Sequence, residues 1–376
     1  MKKLLIAAAA VSCLGLAHAD EPLGGIVFYG LLDQAAFQET RKVGGTTVYD
    51  KTGFYAVEGA SRFGIKGSRD VAGMKAGFVL LFGTSADSGS GLTTNRTSIV
   101  TLSGGFGGIR VGRQYSQGYL NMEMADPGVS SNLVGNLSAF ADFSGVLGSI
   151  DGGSTPGRYN NQLQYDLPQF YPGLKLGVTK VFGETNTSGS TTGNQAKEGD
   201  GMGFNANYKS GPVYVGYTYD EMKNRGIYWM TTPQSDDAGT KKNATERGVD
   251  PDNYTIANAS STDKNKLTTL SASYDFGPAK ASINNSKISV GSAAFENTFV
   301  AVNVPVGQAD LWASVGSGKA TSAASKKDDP TESFQMGVFY NFDKQTQLYA
   351  QYGSQSWNTT KKQEQTGSAI GLRYKF

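Results

Sequence analysis

Hydrophobic and polar residues alternate with a period of two along most of the chain beyond residue 24, as in strands whose two faces meet different surroundings. In the final segment Ile370, Leu372 and Tyr374 share one face, while Arg373 and Lys375 occupy the other. The alternation predicts an all-β protein with sixteen strands. The predicted strands are 25–38, 61–69, 74–82, 96–103, 108–115, 160–168, 174–183, 202–208, 213–220, 267–276, 279–289, 297–304, 309–316, 333–342, 347–354 and 367–376.

The connections between these strands alternate between long polar loops and short turns. The first long loop is predicted over residues 39–59, and the longest over residues 221–265. No stretch after residue 19 approaches the roughly 18 consecutive apolar residues of a spanning helix. A membrane protein with this sequence therefore has to be a closed barrel, in which every strand finds backbone partners. An even number of strands, with short turns on one side and long loops on the other, is typical of outer-membrane barrels.

The alternative fold is a soluble secreted β-sandwich or solenoid. A sandwich would bury its apolar face in a core and would give no reason for an aromatic final residue. No fixed-period repeat of the solenoid kind is visible. We therefore expect residues 20–376 to form an antiparallel, sixteen-stranded transmembrane β-barrel.

The third long connection, residues 116–157, is unusual because it is both long and apolar. Ordinary hairpin loops take about 2 to 5 residues, and a solvated loop would be polar. Four acidic residues, Glu123, Asp126, Asp142 and Asp151, interrupt the apolar ones. Because the apolar side chains need a wall to pack against, we expect this loop to fold into the cavity that the strands enclose. Those side chains are Met122, Met124, Val129, Leu133, Val134, Leu137, Phe140, Phe143, Val146, Leu147 and Ile150.

The first nineteen residues have the pattern of a secretory signal peptide. Lys2 and Lys3 precede an apolar stretch that ends at an Ala-His-Ala sequence, residues 17–19. Cleavage there would remove the single cysteine and the single histidine. It would also leave 32 basic side chains, equal in number to the 32 acidic ones. Net charge therefore indicates no particular partner.

The residues of the mature chain exclude several kinds of chemistry. Without cysteine or histidine there is no disulfide framework, no zinc site and no histidine acid or base. Glycine clusters lie in turns rather than in a βαβ unit, and basic residues are not gathered with aromatic ones. We therefore expect no enzyme activity, no cofactor, no metal and no nucleic-acid partner.

Three motifs carry a resemblance to a known family. They are Ser-Arg-Phe-Gly-Ile-Lys-Gly at residues 61–67, Leu-Ser-Gly-Gly-Phe-Gly followed by Arg-Val-Gly-Arg-Gln within residues 102–114, and Gly-Leu-Arg-Tyr-Lys-Phe at residues 371–376. Together they resemble the Gram-negative general diffusion porins of the β-proteobacterial type, over the whole mature chain in strand order. The resemblance implies a homotrimer of sixteen-stranded barrels in the outer membrane, each narrowed by its third long loop. It also implies that the terminal strand, with Leu372, Tyr374 and Phe376, is recognised by the barrel-assembly machinery.

The resemblance also places an arginine cluster at the constriction, on Arg62, Arg96 and Arg158. Lys66 and Arg110 are expected nearby. The alternation supports an inward Arg62 and Arg158, but Arg96 is in step with outward-facing residues and therefore requires a bulge or a strand end. The acidic side of the constriction is expected on the loop, at Glu123, Asp126 and Asp142.

These features predict a water-filled channel for passive diffusion of small hydrophilic solutes and ions, embedded among outer-membrane lipids. Because loop carboxylates oppose the wall arginines, we expect only a mild ion preference. Two alternatives remain open: a solute-selective channel, and a structural or adhesive barrel closed by its long loop. Tyr228, Trp229 and Met230 in the longest connection are consistent with a specific solute site or with an aromatic girdle.

Overall fold

The structure is a computed structural model that describes residues 25–57, 61–84, 91–128, 133–134, 157–183, 200–223, 228–231, 255–258, 264–290, 293–321, 328–357 and 362–376. Residues 1–19, Asp142 and much of the predicted third loop lie outside the described residues. The first ten elements are β1 (Ile26–Val43), β2 (Thr46–Tyr55), β3 (Arg62–Val71), β4 (Met74–Thr84), β5 (Leu92–Gly104), β6 (Gly107–Tyr115), α1 (Gln117–Glu123), β7 (Arg158–Asp166), β8 (Leu174–Val181) and β9 (Gly201–Ser210). The others are β10 (Val213–Lys223), β11 (Tyr228–Thr231), β12 (Thr255–Asn258), β13 (Lys264–Asp275), β14 (Lys280–Val290), β15 (Ala293–Val306), β16 (Ala309–Thr321), β17 (Asp328–Asn341), β18 (Thr346–Trp357) and β19 (Gln363–Lys375).

Seventeen of the strands in the described part of the chain form one antiparallel sheet that closes on itself. Apart from β2 and β3, which both pair with β1, each strand of this sheet pairs with the next one in sequence, and β10 pairs with β13 across the longest connection. The ring closes where β19 pairs with β1. Gly30 and Phe376 extend that ladder, since Gly30 N donates to Phe376 O at 2.9 Å and Phe376 N donates to Gly30 O at 3.2 Å. Closure satisfies backbone groups that an open sheet would leave at its edges.

Two of the seventeen strands, β2 and β3, together form a single stave of the barrel. Both pair with β1, one after the other, and the described residues between them, Ala56, Val57 and Ser61, lie outside the ladder. At this interruption the Ser61 hydroxyl replaces the missing backbone partner, because Ser61 Oγ accepts from Asp33 N at 2.9 Å and donates to Asp33 O at 3.0 Å. The barrel therefore has sixteen staves, and the predicted number is confirmed.

The prediction of a long loop over residues 39–59 is wrong. In the structure β1 continues to Val43, turns at Gly44 and Gly45, and returns as β2. Both glycines have positive φ, +57° and +83°, as a two-residue hairpin turn of type I′ requires. This hairpin carries polar residues on both faces, so alternation of hydrophobic and polar positions did not reveal it.

The two faces of the barrel differ as the alternation predicts. In β19, Ile370 and Leu372 expose 57% and 51% of their surface, whereas Arg373, which follows Leu372, exposes 5%. Apolar side chains therefore cover the outer surface, and polar side chains point inward on most staves. Buried inward polar residues include Gln162, Gln164, Thr179, Asn205, Thr218, Thr269, Ser271, Asn284, Ser286 and Gln335.

Outside the barrel sheet, the described part of the longest connection contains a small hairpin, in which β11 pairs with β12. Among the described residues, no helix combines the length and the apolar character needed to cross a membrane.

Candidate pore constriction

The apolar segment of residues 116–157 leaves the barrel between β6 and β7 and is held together at its base. Tyr115, the last residue of β6, lies opposite Arg158, the first residue of β7. One step further, Ser116 N donates to Gly157 O at 2.9 Å. Ser116 also caps α1, since its Oγ accepts from Tyr119 N at 3.1 Å in the extended conformation typical of an N-cap.

Helix α1 is fixed to the inner face of β10 and β13, chiefly by Asn121. Asn121 Nδ2 donates to Gly216 O at 3.0 Å and to Thr269 Oγ1 at 2.8 Å. Asn121 Oδ1 accepts from Tyr214 OH at 2.8 Å. The helix approaches closely at Gly118, because a Cβ there would lie 2.6 Å from Leu267 Cδ2.

Beyond α1 the described residues continue along the inner wall. Ser282 Oγ of β14 donates to Ala125 O at 2.5 Å. Gln335 Nε2 of β17 donates to Leu133 O at 3.1 Å and to Val134 O at 2.9 Å. The described parts of the segment, residues 116–128 and 133–134, therefore contact inward-facing groups on β10, β13, β14 and β17.

The segment rests against an aromatic patch that the sequence analysis did not predict. We call Phe37, Trp312, Phe339 and Tyr349 the aromatic wall; all four are at most 5% exposed and share a cluster with Leu133 of the segment. Ring centroids of Trp312 and Phe339 are 5.9 Å apart, and those of Phe339 and Tyr349 are 6.4 Å apart. These side chains come from β1, β16, β17 and β18, at inward positions that are polar elsewhere in the barrel.

A second region of the barrel, from β3 to β7, carries the three predicted arginines, which we call the basic wall. Arg62 lies opposite Leu31, whose side chain is buried, and residues directly opposite in an antiparallel pair share a face. Arg96 is the extra residue of a β-bulge, because the β4 partners of its two neighbours are consecutive residues. Arg158 begins β7. The strand registers bring these three positions to the same end of the barrel, where the long connections lie.

Tyr115 stands between two of these arginines. Arg96 Nη2 donates to Tyr115 OH at 3.4 Å. The Arg158 guanidinium carbon lies 4.0 Å from the Tyr115 ring centroid, a cation–π contact. The Tyr119 ring of α1 stacks on Tyr115 at 5.1 Å with an interplanar angle of 17°. The structure therefore brings Arg96 and Arg158 together around one tyrosine ring.

The two further basic residues lie elsewhere on the inner wall. Lys66 Nζ is 5.0 Å from the centroid of the Tyr29 ring. Arg110 Nη2 donates to both carboxylate oxygens of Asp166, at 3.0 Å and 3.3 Å. The charge of Arg110 is thus balanced by Asp166, the last residue of β7, at the short-turn end of the barrel.

The acidic residues predicted on the loop do not form one group in the described part of the chain. Glu123 is half-buried at the end of α1. Asp126 is 5% exposed, and its Oδ1 accepts from Gly128 N at 2.9 Å, so this carboxylate holds a turn. Asp142 lies outside the described residues.

The predicted assembly signal lies on the outer face of the closing strand. Leu372 and Tyr374 point outward with about half of their surface exposed. The Phe376 ring covers Gly30, where an added Cβ would lie 2.3 Å from Phe376 Cζ. A side chain at position 30 would therefore displace the terminal phenylalanine.

The chain is similar to known outer-membrane proteins along its whole length. The family model for Gram-negative porins matches residues 5–360. Outer membrane porin protein 32 of Delftia acidovorans is 27% identical over 406 aligned positions, which cover all of both chains. Major outer membrane protein P.IB of Neisseria meningitidis serogroup A is 27% identical over 390 positions, again over all of both chains.

Solved structures resemble the barrel as well. An anion-selective porin from Comamonas acidovorans superposes with a TM-score of 0.72 at 21% identity, covering 93% of this chain and 99% of that one. OmpF of Salmonella typhi, in complex with daunomycin, gives a TM-score of 0.63 at 15% identity and covers 93% of this chain and 97% of that chain. At these identities the likeness establishes the fold.

Proposed function

Because this chain belongs to the Gram-negative porin family and forms an outer-membrane channel for passive diffusion, we propose that its basic wall gives the pore a preference for anions. The observation that carries the proposal is the pair of arginines around Tyr115. Among the described residues, no carboxylate forms an ion pair with Arg96 or Arg158. Basic side chains that line a pore favour anions, and here Asp126, one of the two predicted loop carboxylates among the described residues, holds a turn.

The contrast with Arg110 supports this assignment. Arg110 is also on the inner wall, but Asp166 balances its charge. Arg96 and Arg158 contact a neutral tyrosine instead, so their positive charge remains available to passing ions. The likeness to a porin described as anion-selective also supports the proposal.

The remaining parts of the proposal follow the resemblance. Residues 116–157 narrow the lumen, with Glu123 and Asp142 setting the balance of charge opposite the arginines. The chain is exported by its signal peptide, residues 1–19, inserted by the barrel-assembly machinery, and assembled into a homotrimer among outer-membrane lipids. It transports small hydrophilic solutes and ions without a catalytic step.

The test is the reversal potential of single channels in a potassium chloride gradient. We expect Arg158→Ser and Arg62→Ser each to shift it towards cations, because a unit charge about 8 Å from an ion in water contributes about 0.5 kcal/mol, or about twofold in ion occupancy. Lys287→Ser is the matched control: it removes the same charge from an exposed residue on the outer face of β14 and should leave the potential unchanged.

Two results would contradict the proposal. If the arginine variants conduct with an unaltered reversal potential, the basic wall does not set selectivity. If the purified wild-type protein inserts but does not conduct, the long loop closes the barrel and the structural or adhesive alternative stands.

A further inference from the structure

The side chain of Tyr115, the last residue of β6, contacts three neighbouring side chains. Its hydroxyl accepts from Arg96, one ring face meets the Arg158 guanidinium, and Tyr119 stacks on the ring. The side chain is buried, at 7% exposure, although it stands at the base of a segment that enters the lumen. Tyr115 is therefore packed on several sides by groups from β5, β7 and α1.

The chemistry of these contacts distinguishes tyrosine from an acidic partner. A carboxylate orients an arginine but also cancels its charge, as Asp166 does for Arg110. A phenol hydroxyl accepts a hydrogen bond and a ring face attracts a cation through its quadrupole, and neither removes the net charge. Tyr115 therefore restrains Arg96 and Arg158 while leaving both positive.

Restraint matters because arginine side chains are long and have many rotamers. The Nε atoms of Arg96 and Arg158 are buried and, among the described residues, bond to no acceptor. Without a restraint, each guanidinium would turn towards other acceptors or towards the wall. Loss of a cation–π contact changes the occupancy of the stacked rotamer by roughly two- to fivefold.

The same ring is linked to the inward segment. Tyr119 lies in the first turn of α1, whose N-cap is Ser116, the residue that follows Tyr115. The helix is in turn held to β10 and β13 through Asn121. The orientation of the Tyr115 ring thus depends on where α1 lies.

We propose that Tyr115 is a positioning residue for selectivity: it holds Arg96 and Arg158 in one orientation towards the lumen without neutralising them, and it couples that orientation to the position of α1. This inference rests on the proposed anion preference, because it concerns how the same arginines act.

The experiment measures reversal potentials of Tyr115→Phe and Tyr115→Leu, alone and combined with Arg96→Ser, with Arg158→Ser, or with both. Tyr115→Phe removes only the hydroxyl that Arg96 contacts. We expect it to shift the potential towards cations in the wild type and in Arg158→Ser, and to have no further effect in Arg96→Ser. Tyr115→Leu also removes the ring, so we expect a larger shift that persists in Arg96→Ser and disappears only when both arginines are replaced.

The control is Tyr165→Phe on β7, which removes a hydroxyl that donates to Phe106 O at 2.7 Å, away from the basic wall. It should leave the reversal potential unchanged. A purely structural role for Tyr115 would predict the same shift in every background. If Tyr115→Leu does not fold, Tyr115→Phe decides the matter through its dependence on Arg96.

The outcomes separate the two proposals. If the arginine variants shift the reversal potential but Tyr115→Phe does not, or if its effect is independent of Arg96, the positioning role is overturned and the anion preference stands. If the arginine variants themselves do not shift the reversal potential, the proposed anion preference is wrong, and the positioning role of Tyr115 falls with it.

Discussion

The basic wall and the aromatic wall occupy the same inner surface of one barrel, yet their side chains meet different surroundings. Arg62, Arg96 and Arg158 are partly exposed, whereas Trp312 and Tyr349 are 3% and 1% exposed. The difference comes from the long segment, in which Leu133 packs in the aromatic wall and Gly128 lies against Trp312. An inward position is therefore not always a wet position, and the residues that occupy it indicate where the long segment rests.

Burial of the aromatic wall explains why large apolar side chains are tolerated inside a channel. Apolar surface exposed to a water-filled lumen would be unfavourable by about 25 cal/mol per Å². Leu133 covers part of that surface, and a Cβ at Gly128 would lie 2.9 Å from Trp312 Cη2. The same contacts bury Leu133 of the segment, so the aromatic wall and the segment shield each other's apolar surface from water.

The largest loss of stability is expected when a central side chain of the aromatic wall is removed. Trp312→Ala should destabilise the folded barrel by about 3 to 5 kcal/mol, because a buried aromatic leaves a cavity. The variant should also increase current noise as the segment loses its support. Urea unfolding and single-channel recording measure the two effects. Leu311→Ala, the adjacent outward residue, which is 46% exposed, is the control; an equal loss in both variants would contradict a role for the covered wall.

A smaller effect is expected where the segment is held by polar contacts between the two walls. Asn121→Ala leaves Gly216 O, Thr269 Oγ1 and Tyr214 OH without their shared partner, at a cost of about 1 to 3 kcal/mol. We expect open-channel noise to rise, because α1 can then leave β10 and β13.

The control for this variant is Asn285→Ala on the outer face of β14, where Asn285 Nδ2 donates to Thr298 Oγ1 at 2.8 Å. Its open-channel noise should match that of the wild type. If the open-channel noise of Asn121→Ala equals that of the wild type, the aromatic wall alone holds the segment.

The smallest effect is expected at the turn that joins β17 to β18, the staves that carry Phe339 and Tyr349. Asp343 accepts from Thr346 N at 2.6 Å and from Gln345 N at 2.7 Å, which lowers the pKa of its carboxyl below the ordinary value. A lowered folded-state pKa stabilises the fold above the unfolded pKa of about 3.9, and this contribution is lost as pH falls through the folded value. Stability of wild type relative to Asp343→Ala should shrink over that acidic range.

Asp343→Asn provides the comparison, because an amide oxygen keeps the acceptor but does not titrate. Its stability relative to Asp343→Ala should not change over the same range of pH. Unfolding midpoints measured from neutral to acidic pH check this, and a pH-independent wild-type difference would mean that the ionised carboxylate contributes nothing.

The barrel could be predicted from the sequence because its two faces differ so strongly in polarity. Most staves repeat the same alternation, so the sixteen staves could be predicted from Ile370, Leu372 and their counterparts. The hairpin of β1 and β2 was missed because it is polar on both sides. Its signal was present in the dipeptide Gly44-Gly45, which is typical of a two-residue turn.

The candidate site was less predictable, since it depends on contacts between distant parts of the chain. The arginines were located through a family resemblance, and their shared partner Tyr115 gave no separate signal. The burial of Asp126 could not be deduced, because it depends on where residues 124–128 lie against the wall. One signal was available for the aromatic wall: Phe339 and Tyr349 occupy inward positions of their strands, where alternation favours polar residues.

The bulge at Arg96 has a consequence for how such chains tolerate insertion. Thr97 pairs with Leu81 and Asn95 pairs with Phe82, so Arg96 is an extra residue in β5, and the ladder with β4 shifts register once more between Phe82 and Thr84. One additional residue thus changes the side of a single arginine without inverting a whole stave. When inward and outward positions are predicted from alternation along such a strand, one reversal of the alternation should be allowed. A charged residue at an outward position near a strand end indicates where that reversal occurs.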